Sequence, residues 1–368
     1  MTDRPYKPEW VPENGGNEYA AHVMPGVSDA SQPTRRPTYR RRRLTVDEYV
    51  QGVLENNLTV LAQTITLIES NAPAHLDVAQ EVLRQLLPYT GKSMRVGITG
   101  VPGVGKSTFI EALGMMLCER GHRLAVLAVD PSSSVTGGSI LGDKTRMELL
   151  SRHPNAFIRP SPSSGTLGGV ARKSRETMLV CEAAGFDVVL IETIGVGQSE
   201  ITVRSMVDFF LLLMLAGAGD ELQGIKKGVI EIADALLVNK ADGDNKLKAK
   251  AARAEYARAL HFLSSATEGW KTGAYTCSAT TGAGIVEIWE VVEHFQQQTT
   301  ASGVFGKRRQ AQMLHWMQAM IDEQLRSYFL NHPRVTEMRP QIEQAVRQGE
   351  MPATLAAQIL LRAFEGER

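Results

Sequence analysis

Residues 100–108 read Gly-Val-Pro-Gly-Val-Gly-Lys-Ser-Thr and satisfy the spacing G-x-x-x-x-G-K-[ST] from Gly100 through Gly105 and Lys106 to Ser107. The residue types carry the chemistry. Glycines at 100, 103 and 105 let backbone N–H groups curl around phosphate oxygens, and the positive end of a following helix adds to that field. Val101, Pro102, Val104 and Thr108 complete the loop. Lys106 is placed to reach terminal phosphates, and the Ser107 hydroxyl to ligate Mg²⁺. The expected ligand is a nucleoside triphosphate.

A second cluster narrows the base. Asn239-Lys240-Ala241-Asp242 follows the apolar run Leu236-Leu237-Val238, a strand end of the kind where doubly wound sheets place ligand residues. A carboxylate at 242 can accept from both N1–H and the exocyclic amine of guanine. Adenine lacks that donor pair, so the site discriminates by leaving polar groups unmatched. Ser278-Ala279, with Thr280 beside them, supplies the backbone N–H expected to face guanine O6. The expected ligands are therefore GTP and GDP.

The metal side of such a site needs acids at strand ends. Val188-Val189-Leu190-Ile191 runs into Glu192, which can hold Mg²⁺ through water or orient the attacking water. Gly195, just beyond, can offer its N–H to the γ-phosphate, making 195–200 a candidate switch. Asp130 closes another apolar run, and Asp143 lies in the glycine-rich, charged stretch 136–146. Both are candidate ligands of the metal or charges near it.

These residues need a scaffold. Apolar runs of strand type occur at 94–99, 124–130, 156–159, 188–192, 209–215, 236–239 and 274–278, separated by segments of helical composition. Most lack polar alternation, as strands do when helices cover both faces of a mostly parallel sheet. The fold class expected is α/β, a P-loop NTPase with a doubly wound sheet plus N-terminal and C-terminal helical extensions. Residues 1–43 read as a disordered Arg/Pro-rich tail, ending in Arg40-Arg41-Arg42-Arg43. A capping box, Thr45-x-x-Glu48, opens a helical segment over 44–92, whose first helix carries apolar residues from Val50 to Ile68 and whose second covers 76–87. The GTPase domain is expected at 93–298. A helical region follows at 299–368, with helices at 307–329 and 339–364 broken by His332-Pro333.

The bulk composition sets outer bounds. Of 368 residues, 43% are hydrophobic and 22% charged, enough for a sizeable core. Lys+Arg and Asp+Glu both total 40, which gives no global electrostatic case for nucleic acid. The longest apolar stretch, 209–219, is too short to span a bilayer, so no membrane association is expected. No secretory h-region opens the chain. The three cysteines, Cys118, Cys181 and Cys277, form no C-x-x-C pair and read as buried thiols of a reducing, cytoplasmic setting.

Together with five longer segments, these residues resemble the MeaB/ArgK family of P-loop GTPases. The segments are Asp130-Pro-Ser-Ser-Ser, the run 137–146, Arg159-Pro-Ser-Pro-Ser-Ser-Gly165, the run 192–200 and the run 219–228. The resemblance begins near residue 45 and extends to the C-terminus. It implies a homodimeric GTPase chaperone of an adenosylcobalamin-dependent acyl-CoA mutase, most often methylmalonyl-CoA mutase, that gates cofactor loading and protects the mutase from inactivation. It further implies a switch at 220–228, including Lys226, at the mutase interface, and dimerisation through the C-terminal helices. No glutamine directly follows Gly195, and Gln198 stands three positions further on, so slow intrinsic hydrolysis raised by the partner is expected. Two alternatives belong to other classes. An ATPase or kinase tied to basic amino-acid transport would prefer ATP, against Asp242; a nickel metallochaperone GTPase would call for His/Cys clusters, whereas the eight histidines are scattered.

Overall fold

The computed structural model describes residues 44–129, 147–160, 167–193, 199–217 and 227–366.

Among these residues, seven strands form one all-parallel sheet: β1 (Met94–Gly100), β2 (Leu124–Val129), β3 (Ala156–Arg159), β4 (Val188–Thr193), β5 (Phe209–Met214), β6 (Ala235–Val238) and β7 (Gly273–Thr276). Their order across the sheet is β3-β2-β4-β1-β5-β6-β7. The central strands β1, β2, β4, β5 and β6 are buried along their whole length, which is why their sequences carry apolar runs without alternation. Observed strand bounds agree with the sequence expectation to within one or two residues.

Helices cover both faces. One face carries α1 (Val46–Leu54), α2 (Leu58–Glu69), α3 (Pro73–Leu86), α6 (Leu167–Ala183), α7 (Ser199–Arg204) and α9 (Lys246–Leu260). The other carries α4 (Lys106–Glu119), α5 (Glu148–Ser151) and α10 (Ile285–Ala301). The short α8 (Lys227–Glu231) precedes β6, and α11 (Val304–Leu330), α12 (Pro333–Arg347) and α13 (Ala353–Glu365) end the chain. Each face has its own apolar core, one around Leu61, Val189, Phe210 and Leu236, the other around Ile98, Phe109, Leu190 and Phe295. All three cysteines are free and buried, as expected.

Some helical expectations need correction. The segment read as one helix through Val50–Ile68 is two, because Asn56 adopts φ +56° and Asn57 caps α2 by accepting from the N–H groups of Thr59 and Val60. Pro73 opens α3 at its first turn, where a missing N–H is harmless. The second C-terminal segment is likewise divided, with Gly349 at φ +75° between α12 and α13. The capping box at Thr45 and Glu48 is present as expected.

Helix α11 is gripped at its base by buried ion pairs. Arg309 donates to both carboxylate oxygens of Asp208 (2.8 and 2.6 Å) and to the carbonyls of Gly91 (2.5 Å) and Ser93 (2.6 Å). Asp208 is fully buried and also accepts from the Arg95 N–H (2.9 Å). Arg95 in turn pairs with Glu182 (2.7 Å), while Arg308 bonds the Asp208 carbonyl and Thr267. Burial opposes charge on Arg309, yet its hydrogen bonds to Asp208 and the Asp208 charge outweigh this and raise its pKa. Removing one partner would strand the other in the interior. Arg309→Met should therefore lower unfolding free energy by about 3 kcal/mol in urea titration; a loss below about 1 kcal/mol would mean that Asp208 rehydrates.

Candidate functional site

The phosphate loop leaves the carboxyl end of the central strand β1 and enters α4. Its glycines are dictated by space. At Gly100 (φ +153°) a Cβ would lie 2.5 Å from the Leu213 carbonyl oxygen, and at Gly105 (φ +89°) it would press on the Asn239 amide at 3.0 Å. Val104 is fully buried and pins the loop to the core beneath it. Three loop carbonyls are held by side chains: Gly100 by Lys106 Nζ, Gly103 by Lys240 Nζ and Val104 by Asn239 Nδ2, each at 2.9 Å. In a planar trans peptide the N–H points opposite its carbonyl, so the Gly105 N–H is turned away from Asn239. Val101, Pro102, Ser107 and Thr108 complete the curve at or near the surface.

The loops after β6 and β7 are zipped together. Cys277 N–H donates to the Val238 carbonyl and Ala241 N–H to the Cys277 carbonyl, both at 2.9 Å. Lys240 takes φ +60°, a left-handed conformation that turns the chain beneath the phosphate loop. The Ser278 hydroxyl donates to Asp242 Oδ2 and accepts from the Thr281 N–H (3.2 Å), leaving Asp242 half-buried. Asn239 is the hub: besides Val104, its Oδ1 accepts from the Ala279 N–H and the Cys277 thiol, both at 3.3 Å. The Ala279 N–H expected at guanine O6 is thus engaged with Asn239 in this structure. Thr280 is exposed next to it. Burial, and then the Asp242 charge, pushes the Cys277 thiol up to about 12, so it stays a neutral donor.

The acid of β4 meets the loop across the sheet. Glu192 pairs in register with Ile98, and its side chain projects to the α4 face, where Ser107 Oγ donates to Glu192 Oε1 at 3.4 Å. Glu192 is only 4% exposed. A hydroxyl and a carboxylate, both hard oxygen donors at the mouth of a phosphate loop, fit Mg²⁺, which takes one or two protein oxygens and completes its shell with phosphate and water. One residue further along each strand, on the opposite face of the sheet, the Thr193 hydroxyl donates to Thr99 Oγ1 (2.8 Å), both residues being buried.

Sequence reasoning brought Gly100–Thr108, Glu192, Asn239–Asp242 and Ser278–Thr280 to one edge of the sheet, and the structure gathers them there. Asp130, Asp143, Gly195, Gln198 and Lys226 lie outside the described residues. Sequence reasoning missed Thr99, Thr193 and Cys277; the available signal was a hydroxyl or thiol residue at or just past the end of the apolar runs that form β1, β4 and β7.

A P-loop at the central strand, a buried acid on the neighbouring strand and an Asn-Lys-x-Asp loop on a parallel seven-stranded sheet define the class: this is a P-loop GTPase. Residues 61–334 match the sequence model of the family described as methylmalonyl Co-A mutase-associated GTPase MeaB, and the chain belongs to that family. A probable GTPase of Mycobacterium tuberculosis is 53% identical over 317 residues, covering 86% of this chain and 94% of the relative. GTPase ArgK of Escherichia coli is 50% identical over 288 residues, 78% of this chain and 86% of ArgK. The mitochondrial methylmalonic aciduria type A homolog of Mus musculus is 47% identical over 330 residues, covering 87% and 80% of the two chains. A crystal structure of a LAO/AO transport system kinase shares the fold with a TM-score of 0.71 at 38% identity, covering 88% of this chain and 99% of that one.

Proposed function

We propose that this GTPase is a chaperone of an adenosylcobalamin-dependent acyl-CoA mutase, methylmalonyl-CoA mutase in the first place, gating cofactor loading and protecting the mutase from inactivation. The observation that carries this reading is the match to the mutase-associated family over residues 61–334, joined to an intact nucleotide site. The homodimer and the cytoplasmic setting belong to the same proposal. The first is supported by an exposed apolar stripe on α11, formed by Met313, Leu314, Met317, Ile321, Leu325 and Tyr328, and the second by three free thiols.

In this mechanism the backbone of Gly100–Thr108 cradles the β- and γ-phosphates, and Lys106 leaves the Gly100 carbonyl to neutralise charge on the β–γ bridge. Ser107 and Glu192 are the residues that would hold Mg²⁺, which when bound offsets phosphate charge. Glu192 also accepts a hydrogen bond from the attacking water, and Gly195 donates its N–H to the γ-phosphate. Asp242 accepts from the guanine edge, while Asn239 and Lys240 brace the loop from below. Asp130 and Asp143 are further metal candidates in this proposal, and 195–200 and 220–228 are its switches.

Hydrolysis should be slow alone and rise by at least about ten-fold when purified methylmalonyl-CoA mutase is added, because the partner completes the water-positioning site. The measurement is phosphate release with and without the mutase. Fast turnover unaffected by the mutase would sink the gating reading. A preference for ATP in the same assay would favour the phosphoryl-transfer reading suggested by the transport-system kinase.

A further inference from the structure

Strands β1 and β4 part company at the site. Their ladder runs from Met94↔Val188 to Ile98↔Glu192. Among the described residues, β4 continues beyond it with β2, as Val129↔Thr193, and β1 with β5, as Thr99↔Leu212 and Gly100↔Leu213. The parting lies directly beneath the two groups whose spacing matters most: the phosphate loop departs β1 at Gly100, and Glu192 is the last residue of β4 in register with β1. Among the described residues, no β1–β4 register pair follows Ile98↔Glu192 to hold the strand ends together.

The Thr193–Thr99 hydroxyl bond stands at that gap. The two residues face each other one step past the last ladder pair, 2.8 Å apart at Oγ1, and neither is more than 1% exposed. Water therefore cannot replace the bond at either end, and β-branching leaves each side chain little rotameric freedom. Both hydroxyls lie on the sheet face opposite Glu192, because successive side chains alternate. They can act on the acid only through the backbone that it shares with Thr193.

We propose that Thr193, bonded to Thr99, is a positioning residue that holds the ends of β1 and β4 at the separation placing the Glu192 carboxylate against Ser107. The inference rests on the assignment of Ser107 and Glu192 to the metal side of the site. The bond takes over where the ladder stops, and the 3.4 Å Ser107–Glu192 contact is the geometry it preserves.

The test is a double-mutant cycle of Thr193→Val, Thr99→Val and the pair, with Thr193→Ser as the conservative control. Each single valine strands one buried hydroxyl, whereas the double variant removes both. Thr193→Val should lower kcat for GTP hydrolysis by about ten-fold and raise the Mg²⁺ concentration for half-maximal activity, with affinity for a fluorescent GDP analogue in EDTA within about two-fold of wild type. Thr193→Ser should keep kcat within about three-fold. The decisive result comes from the double variant: its melting temperature should recover toward wild type while kcat stays low. Recovery of kcat together with stability would overturn the proposal, since the pair would then be packing alone, and so would single variants with wild-type kcat. Wild-type hydrolysis independent of Mg²⁺ would instead bring down the metal-site assignment, and the proposal with it.

Discussion

Lys106→Ala should reduce GTP affinity by at least about 10³-fold, roughly 4 kcal/mol. Lys106 is the first residue of α4, and its ammonium already spans the loop to the Gly100 carbonyl at 2.9 Å. It thus already lies across the loop that would hold the terminal phosphates. Charge-assisted bonds to phosphate oxygens are among the strongest that a side chain makes, and alanine supplies none. The fold should tolerate the change, because the side chain is half-buried and alanine is the best helix former at that position. Calorimetric titration with GTP gives the affinity, and circular dichroism checks the fold. Micromolar binding by a folded Lys106→Ala protein would move the phosphates elsewhere.

Asp242→Asn should invert base preference, lowering affinity for GTP relative to XTP by about 10⁴-fold. The carboxylate offers two acceptors to the guanine N1–H and amine. An amide replaces one acceptor with a donor, which repels the amine and matches the 2-oxo group of xanthine. The loop around it should survive, since Ser278 can still donate to the remaining carbonyl oxygen. Competition binding with GTP, XTP and ATP reads the result. Unchanged GTP selectivity would show that position 242 does not face the base.

Both effects could be anticipated from the sequence because the residues concerned are local. A phosphate loop is nine consecutive residues between a strand and a helix, and the base-reading loop is four residues at a strand end. The buried strands were equally legible, their apolar runs matching the observed β1–β7 closely. What escaped notice depends on pairs distant along the chain. Thr99 and Thr193 are ordinary strand threonines until β1 and β4 are laid side by side. Arg308 and Arg309 look like a basic helix start until Asp208, a hundred residues earlier, proves to be buried beneath them. The break at Asn56 was hidden for another reason: an apolar pattern can continue in phase through a one-residue left-handed step.

The grip of Arg308 and Arg309 on the sheet also has a mechanical side. It seizes α11 in its second turn, at the amino-terminal end of β5, whereas the nucleotide loops crown the carboxyl ends of the strands. From Arg309 to Tyr328 the helix extends about 28 Å at 1.5 Å per residue. A tilt of about 10° at the fulcrum thus carries Tyr328 through about 5 Å, given that rise. Pivoted at that buried charge, the helix would act as a lever, and a small adjustment under Asp208 would be magnified at the apolar stripe.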